Sequence, residues 1–207
     1  MNPAPLRFIN LTANVDESMA TTHSPHHPNT AEDDRILVAL ALALVDQPRA
    51  SLQELARAIG VSKATLYRYC STRQALIDRL ATHSSEALSQ AISAAELDSA
   101  PPLDALRALI ARHLEHRELT IFLMYYWKDA STDVCSDCHW NKALDAFFLR
   151  GQEAGVFRID ISAPALTEIF GNLLIGLFDA ERRGRVARMG LAELIESAFL
   201  HGTRTQG

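Results

Sequence analysis

SLQELARAIGVSKATLYRYCSTRQAL, residues 51–76, is the stretch from which the rest of the chain is read. Ser51 followed by Glu54 is a capping box, so a helix opens there. Leu52, Leu55, Ala56 and Ile59 give that helix one apolar face, and Gly60 supplies a tight turn. Ser62 caps a second short helix over about 63–69. This helix has only Leu66 and part of Tyr69 to bury, yet it carries Lys63, Thr65, Tyr67 and Arg68. Two short helices with a glycine turn form a helix-turn-helix pattern, whose second helix lies in the major groove of DNA. On that reading Lys63 and Thr65 reach base edges or phosphates, with Ala64 beside them, and Tyr67, Arg68, Tyr69 and Arg73 reach phosphates on either side. Ser51, Ser62 and Thr72 stand at helix N-termini, which favour phosphate oxygens.

The charge distribution agrees with a local polyanion site. The 207 residues sum to −5, but residues 49–79 hold six basic and two acidic side chains, a net +4. The length and the 48% hydrophobic content suffice for one or two packed domains. The longest apolar run, ILVALALALV at 36–45, is half of the ~20 residues that span a bilayer, so no membrane partner is expected. Residues 1–30 hold one basic residue, Arg7, and no apolar core of a signal peptide, which points to the cytoplasm. The three cysteines then read as thiols.

Apolar spacings of three and four dominate after Asp33, so the expected fold is all-α. Residues 1–30 form an N-terminal arm, in which His23, His26 and His27 are solvated and Met19 offers an alternative start. Residues 31–78 form the helix-turn-helix domain and 79–207 a helical remainder. The first helix, about 33–46, is apolar nearly all round and expected to be buried. A helix opening at 71–72 runs to about 97, followed by others at 103–117, 119–130, 135–153, 163–182 and 190–201.

The 51–76 stretch resembles the DNA-binding module of the tetracycline-repressor (TetR) family. It matches that family's pattern at Leu55, Ala56, Gly60, Val61, Ser62, Thr65, Leu66, Tyr67, Tyr69 and Leu76, with Ser51, Thr72 and Arg73 as conservative replacements. It departs at Ile59, Ala64 and Cys70, and the DQPRA link before it is about two residues shorter. GVFRIDISAPALTEIFGNLLIGLFDA, residues 155–180, is similar to the family's turn into its eighth helix. The resemblance implies a homodimer joined through its last two helices, here by Leu166, Phe170, Leu173, Leu177, Leu194 and Phe199, with Gly171 and Gly176 permitting close approach. It further implies operator DNA as partner and a cavity for a small-molecule effector. Candidate lining residues are His113, Phe122, Met124, Tyr125, Tyr126, Trp127, Trp140, Phe147, Phe148 and Asn172. The expected function is a sequence-specific transcriptional regulator, a repressor released by its ligand.

CSDCH at 135–139 matches the c-type haem attachment signature, but without an export signal no haem is expected. On a helix Cys135, Cys138 and His139 share a face that suits a metal or a redox pair, which keeps a thiol- or metal-responsive sensor as the alternative. No catalytic constellation and no phosphate-binding glycine loop stands out, so neither an enzyme nor a cofactor is expected.

Overall fold

A computed structural model describes residues 30–126 and 139–203. Among them the chain forms α-helices joined by short turns: α1 (Thr30–Asp46), α2 (Leu52–Ala58), α3 (Lys63–Tyr69), α4 (Arg73–Ser93), α5 (Pro102–Glu115), α6 (Arg117–Tyr126), α7 (His139–Glu153), α8 (Ala163–Arg182) and α9 (Leu191–Thr203). The 1–30 arm lies outside the described residues except for Thr30, the first residue of α1.

The first four helices form the N-terminal unit. α1 buries Leu37, Leu40, Ala41 and Leu44 against α2, α4 and α6. The capping box forms at α2: the Ser51 N–H donates to Glu54 Oε2 at 2.7 Å and the Glu54 N–H to Ser51 Oγ at 3.3 Å. These bonds from Ser51 hold the Glu54 carboxyl below its usual range. α2 ends in a Schellman motif, with Val61 N–H on the Ala56 carbonyl and Gly60 N–H on that of Arg57. Gly60 takes φ +76°, a conformation that disfavours a side chain. Ser62 and Thr72 cap α3 and α4 through the N–H groups of Thr65 and Ala75.

α4 stops at Ser93, four residues short of expectation, because the chain turns through Glu96 at φ +50° toward Pro101 and Pro102. Pro102 opens α5 at a position where its missing N–H is no loss. The remaining helices close over a phenylalanine cluster. Phe147, Phe148, Phe157, Phe170 and Phe199 are each at most 1% exposed, with ring centroids 4.9–6.2 Å apart in their contacting pairs. Gly151 admits the Phe157 ring so closely that an added Cβ would sit 2.3 Å from it. α8 is apolar and long enough to cross a bilayer by length and composition, but Leu166, Phe170, Leu174 and Phe178 are buried where α8 meets α6, α7 and α9.

Candidate DNA-binding surface and ligand cavity

The α3 face builds from its capping. Ser62 accepts the Thr65 N–H at 3.0 Å and leaves the helix standing on Leu66, which is fully buried. Lys63, Ala64, Tyr67 and Arg68 are exposed and Thr65 is half-buried, so five of the expected residues share an accessible surface. The Lys63 ammonium lies 5.4 Å from the Tyr67 ring centroid. Two others take different partners from those expected. Tyr69 is 9% exposed and its hydroxyl donates to the Asp33 carboxylate of α1. Burial, together with that hydrogen bond, pushes the phenol up to about 12. The Arg79 guanidinium lies over this ring, 4.9 Å from its centroid. Arg73 donates to the Pro48 carbonyl at 2.7 Å and lies 5.9 Å from the Tyr126 ring. Both side chains therefore also tie α3 and the start of α4 to α1 and to the α1–α2 turn.

A cavity of about 630 Å³ opens between α4, α5, α6, α7 and α8, a volume within the range of small-molecule sites. It brings together His113, Met124, Tyr125, Trp140 and Asn172 of the expected lining, and adds Glu168, Thr120 and Thr167. Phe122 and Phe148 are instead fully buried core. Phe147 lines a separate hollow of about 440 Å³ beside Leu97 and Arg150. Tyr126 turns the other way and donates to the Leu44 carbonyl of α1 at 2.8 Å. Trp127 lies outside the described residues. The missed Glu168 and Thr167 follow from the register of α8, whose 100° step places them on the face opposite Leu173. Burial holds the His113 imidazole below its ordinary value, against the opposing effect of its bond to Leu109.

The cavity connects to the N-terminal unit through side chains. Tyr125 donates to Asp179 Oδ1 at 3.2 Å, Arg182 holds the same oxygen at 2.9 Å, and Arg182 also reaches Asp46 of α1 at 2.6 Å. Burial acts to raise Asp179, but the Arg182 hydrogen bond and the charges of Arg183 and Arg182 outweigh it and keep the carboxyl ionised. Tyr125 and its neighbour Tyr126 thus couple the end of α6 to α8 and α1 respectively.

On the far side, α8 and α9 divide their apolar residues between two faces. Leu166, Phe170 and Phe199 lie in the chain's own core at 1% exposure or less, so these three of the expected interface residues are not available to a partner. Leu173 and Leu177 are half-buried, and Ile169 and Leu194 are 43% and 42% exposed. A Cβ on Gly171 or Gly176 would meet no atom within 4 Å. Cys70 is buried beneath α3. Cys135 and Cys138 lie outside the described residues, as does the side chain of His139. Among the described residues no group of three His, Cys, Asp or Glu is placed to hold a metal ion.

Comparison with known proteins places this arrangement. Residues 47–80 match the family of bacterial regulatory proteins described as the tetR family. The chain is 51% identical over 176 residues to the HTH-type transcriptional regulator NfxB of Pseudomonas aeruginosa PAO1, covering 83% of this chain and 94% of the relative. It is 36% identical over 90 residues to the HTH-type transcriptional repressor LfrR of Mycolicibacterium smegmatis, covering 44% of this chain and 48% of that one. Among solved structures, LfrR in complex with proflavine superposes with a TM-score of 0.61 at 23% identity over 84% of this chain and 98% of that one. The Thermus thermophilus regulator PfmR superposes with a TM-score of 0.63 at 23% identity over 80% of this chain and 95% of that one.

Proposed function

The chain belongs to the TetR family of bacterial regulatory proteins and is a DNA-binding transcriptional regulator, and from that premise we propose that it is a homodimeric repressor released from its operator by a small organic ligand. It acts in the cytoplasm, where the operator lies. The DNA-binding domain comprises residues 31–78 and the ligand-binding and dimerisation domain 79–207, with α4 running across the junction. The exposed face of α3 enters the major groove, where Lys63 and Thr65 meet base edges and Tyr67 and Arg68 meet the backbone. Ser51, Ser62 and Thr72 direct the first turns of α2, α3 and α4 toward phosphates. Two-fold symmetry sets the recognition helices about one helical turn of DNA apart, ~34–36 Å, or a multiple of that.

The observation that carries the reading is the join between cavity and DNA module. A ligand that displaces the Tyr125 hydroxyl from Asp179 disturbs the carboxylate that Arg182 shares with Asp46. The same movement of α6 carries Tyr126, which holds the end of α1. A ligand that binds one arrangement of these ties better than the other shifts the population between DNA-competent and released states. The test is selection of bound duplexes from a random pool with purified protein at low salt, followed by a screen for compounds that release the selected duplex. A near-palindromic motif and a releasing compound are expected. Absence of any selected motif overturns the proposal.

A further inference from the structure

Among the described residues of the cavity wall, an accepting nitrogen faces the cavity while several donors are already engaged. His113 is 7% exposed, and its Nδ1 lies 2.9 Å from the Leu109 carbonyl oxygen. A carbonyl only accepts, so Nδ1 carries the proton and the neutral ring leaves Nε2 as an acceptor. Among the described residues no donor reaches Nε2, and the ring's edge-on contact with Phe170 at 6.1 Å holds its orientation. Nε2 is therefore open to a donor from a molecule in the cavity, whose wall His113 helps to form.

The neighbouring donors are committed inside the protein. Thr120 donates to the His116 carbonyl, Thr167 to Asp145, Asn172 to the Glu168 carbonyl and Tyr125 to Asp179. Asn141, an amide that can both give and accept, stands at the exposed rim. Among the described residues, Glu168 is the one charged side chain on the lining. Trp140 and Tyr125 supply aromatic surface.

We propose that the cavity selects planar organic cations that carry N–H groups, one N–H donating to His113 Nε2 while Glu168 supplies the opposing charge. This rests on the reading of the cavity as the effector site, and it adds a chemical criterion: a cation of the same ring system whose nitrogens are all alkylated binds less well, because Nε2 then stays unpaired. His113 is the residue that makes the distinction, and Glu168 the one that favours positive charge without regard to N–H content.

The experiment measures binding of two probes to the full-length chain by fluorescence titration. One is proflavine, an acridinium cation with amino groups. The other is its fully N-methylated counterpart, which keeps the ring and the charge but has no N–H. The wild type is expected to prefer proflavine by roughly tenfold or more, the size of one buried hydrogen bond to a charged donor. His113→Phe keeps an aromatic ring against Phe170 and is expected to lose about tenfold for proflavine while leaving the methylated probe unchanged. Unchanged binding of the methylated probe shows that the phenylalanine variant did not simply misfold, and His113→Gln, which restores an acceptor, recovers part of the loss. Glu168→Gln weakens both probes alike. A preference for proflavine that persists in His113→Phe assigns the discrimination to methyl bulk and overturns the proposal, as does binding of neither probe. Release of the operator by an uncharged compound, in a protein that binds neither cation, would overturn this proposal while leaving the ligand-released repressor standing.

Discussion

At the scale of single residues, Tyr69 and Lys63 separate two roles that a donor-rich helix can conceal. Both sit on α3, six residues apart, but Lys63 is exposed and Tyr69 is bonded to Asp33. Lys63→Ala is expected to weaken operator binding by about 1–3 kcal/mol if it reads a base. Tyr69→Phe is expected to lower stability by about 1 kcal/mol, the worth of its hydrogen bond, and to leave the salt dependence of DNA binding unchanged. Denaturant titration and binding across a salt series measure the two; a flatter salt slope for Tyr69→Phe would return that hydroxyl to the phosphates. Cys70 gives a second test. Burial pushes its thiol up, so little thiolate forms near neutral pH. In a Cys135→Ser/Cys138→Ser background, alkylation of Cys70 by iodoacetamide is expected to be far slower in the folded than in the urea-unfolded protein. Equal rates by mass spectrometry would place the sulfur at the surface. Counting donors along α3 does not show that Asp33 and Pro48, 36 and 25 residues away, bond to Tyr69 and Arg73.

Elements were more legible than residues, because their signals are local. Caps at Ser51, Ser62 and Thr72 stand where the sequence places them. The end of α4 is the exception, since the apolar rhythm continues through Ala94, Ala95 and Leu97 after the backbone has turned. The approach of α7 to Phe157 is also invisible in the spacing. Gly151→Ala forces a Cβ to within 2.3 Å of that buried ring, and is expected to cost about 1–3 kcal/mol by overpacking, read as a lowered melting temperature. An unchanged melting temperature would mean that α7 and the Phe157 turn have room to separate. The link from α8 to α1 is tested through Arg182. Its ion pair with Asp46 is partly solvent-exposed, so Arg182→Gln should cost less than about 1 kcal/mol of stability. Its expected effect is instead a several-fold reduction in how strongly ligand lowers operator affinity, within the 5–150-fold span (roughly) of such couplings. Full ligand response in this variant would leave the Tyr126 tie to α1 as the sufficient connection.

For the whole molecule, the inner and outer faces of α8 make opposite predictions. Phe170 is 1% exposed, so Phe170→Arg buries an unpaired charge and should abolish folding. Leu173 is half-buried on the outward side, and Leu173→Arg should leave a folded, helical chain that sediments as a monomer and binds operator weakly. A Leu173→Arg protein that remains a dimer would move the interface elsewhere. Local chemistry in the sequence was enough to specify the helices, the caps of α2, α3 and α4 and the glycine turn of the DNA module, because caps, turns and helical periods act between residues a few places apart. Which apolar residues of α8 and α9 point inward, which tyrosine of the 125–126 pair faces the cavity and which holds α1, and where His113 directs its free nitrogen depended on helices meeting across the fold. A side chain's partner there is chosen by packing between distant segments, and no spacing within one helix records it.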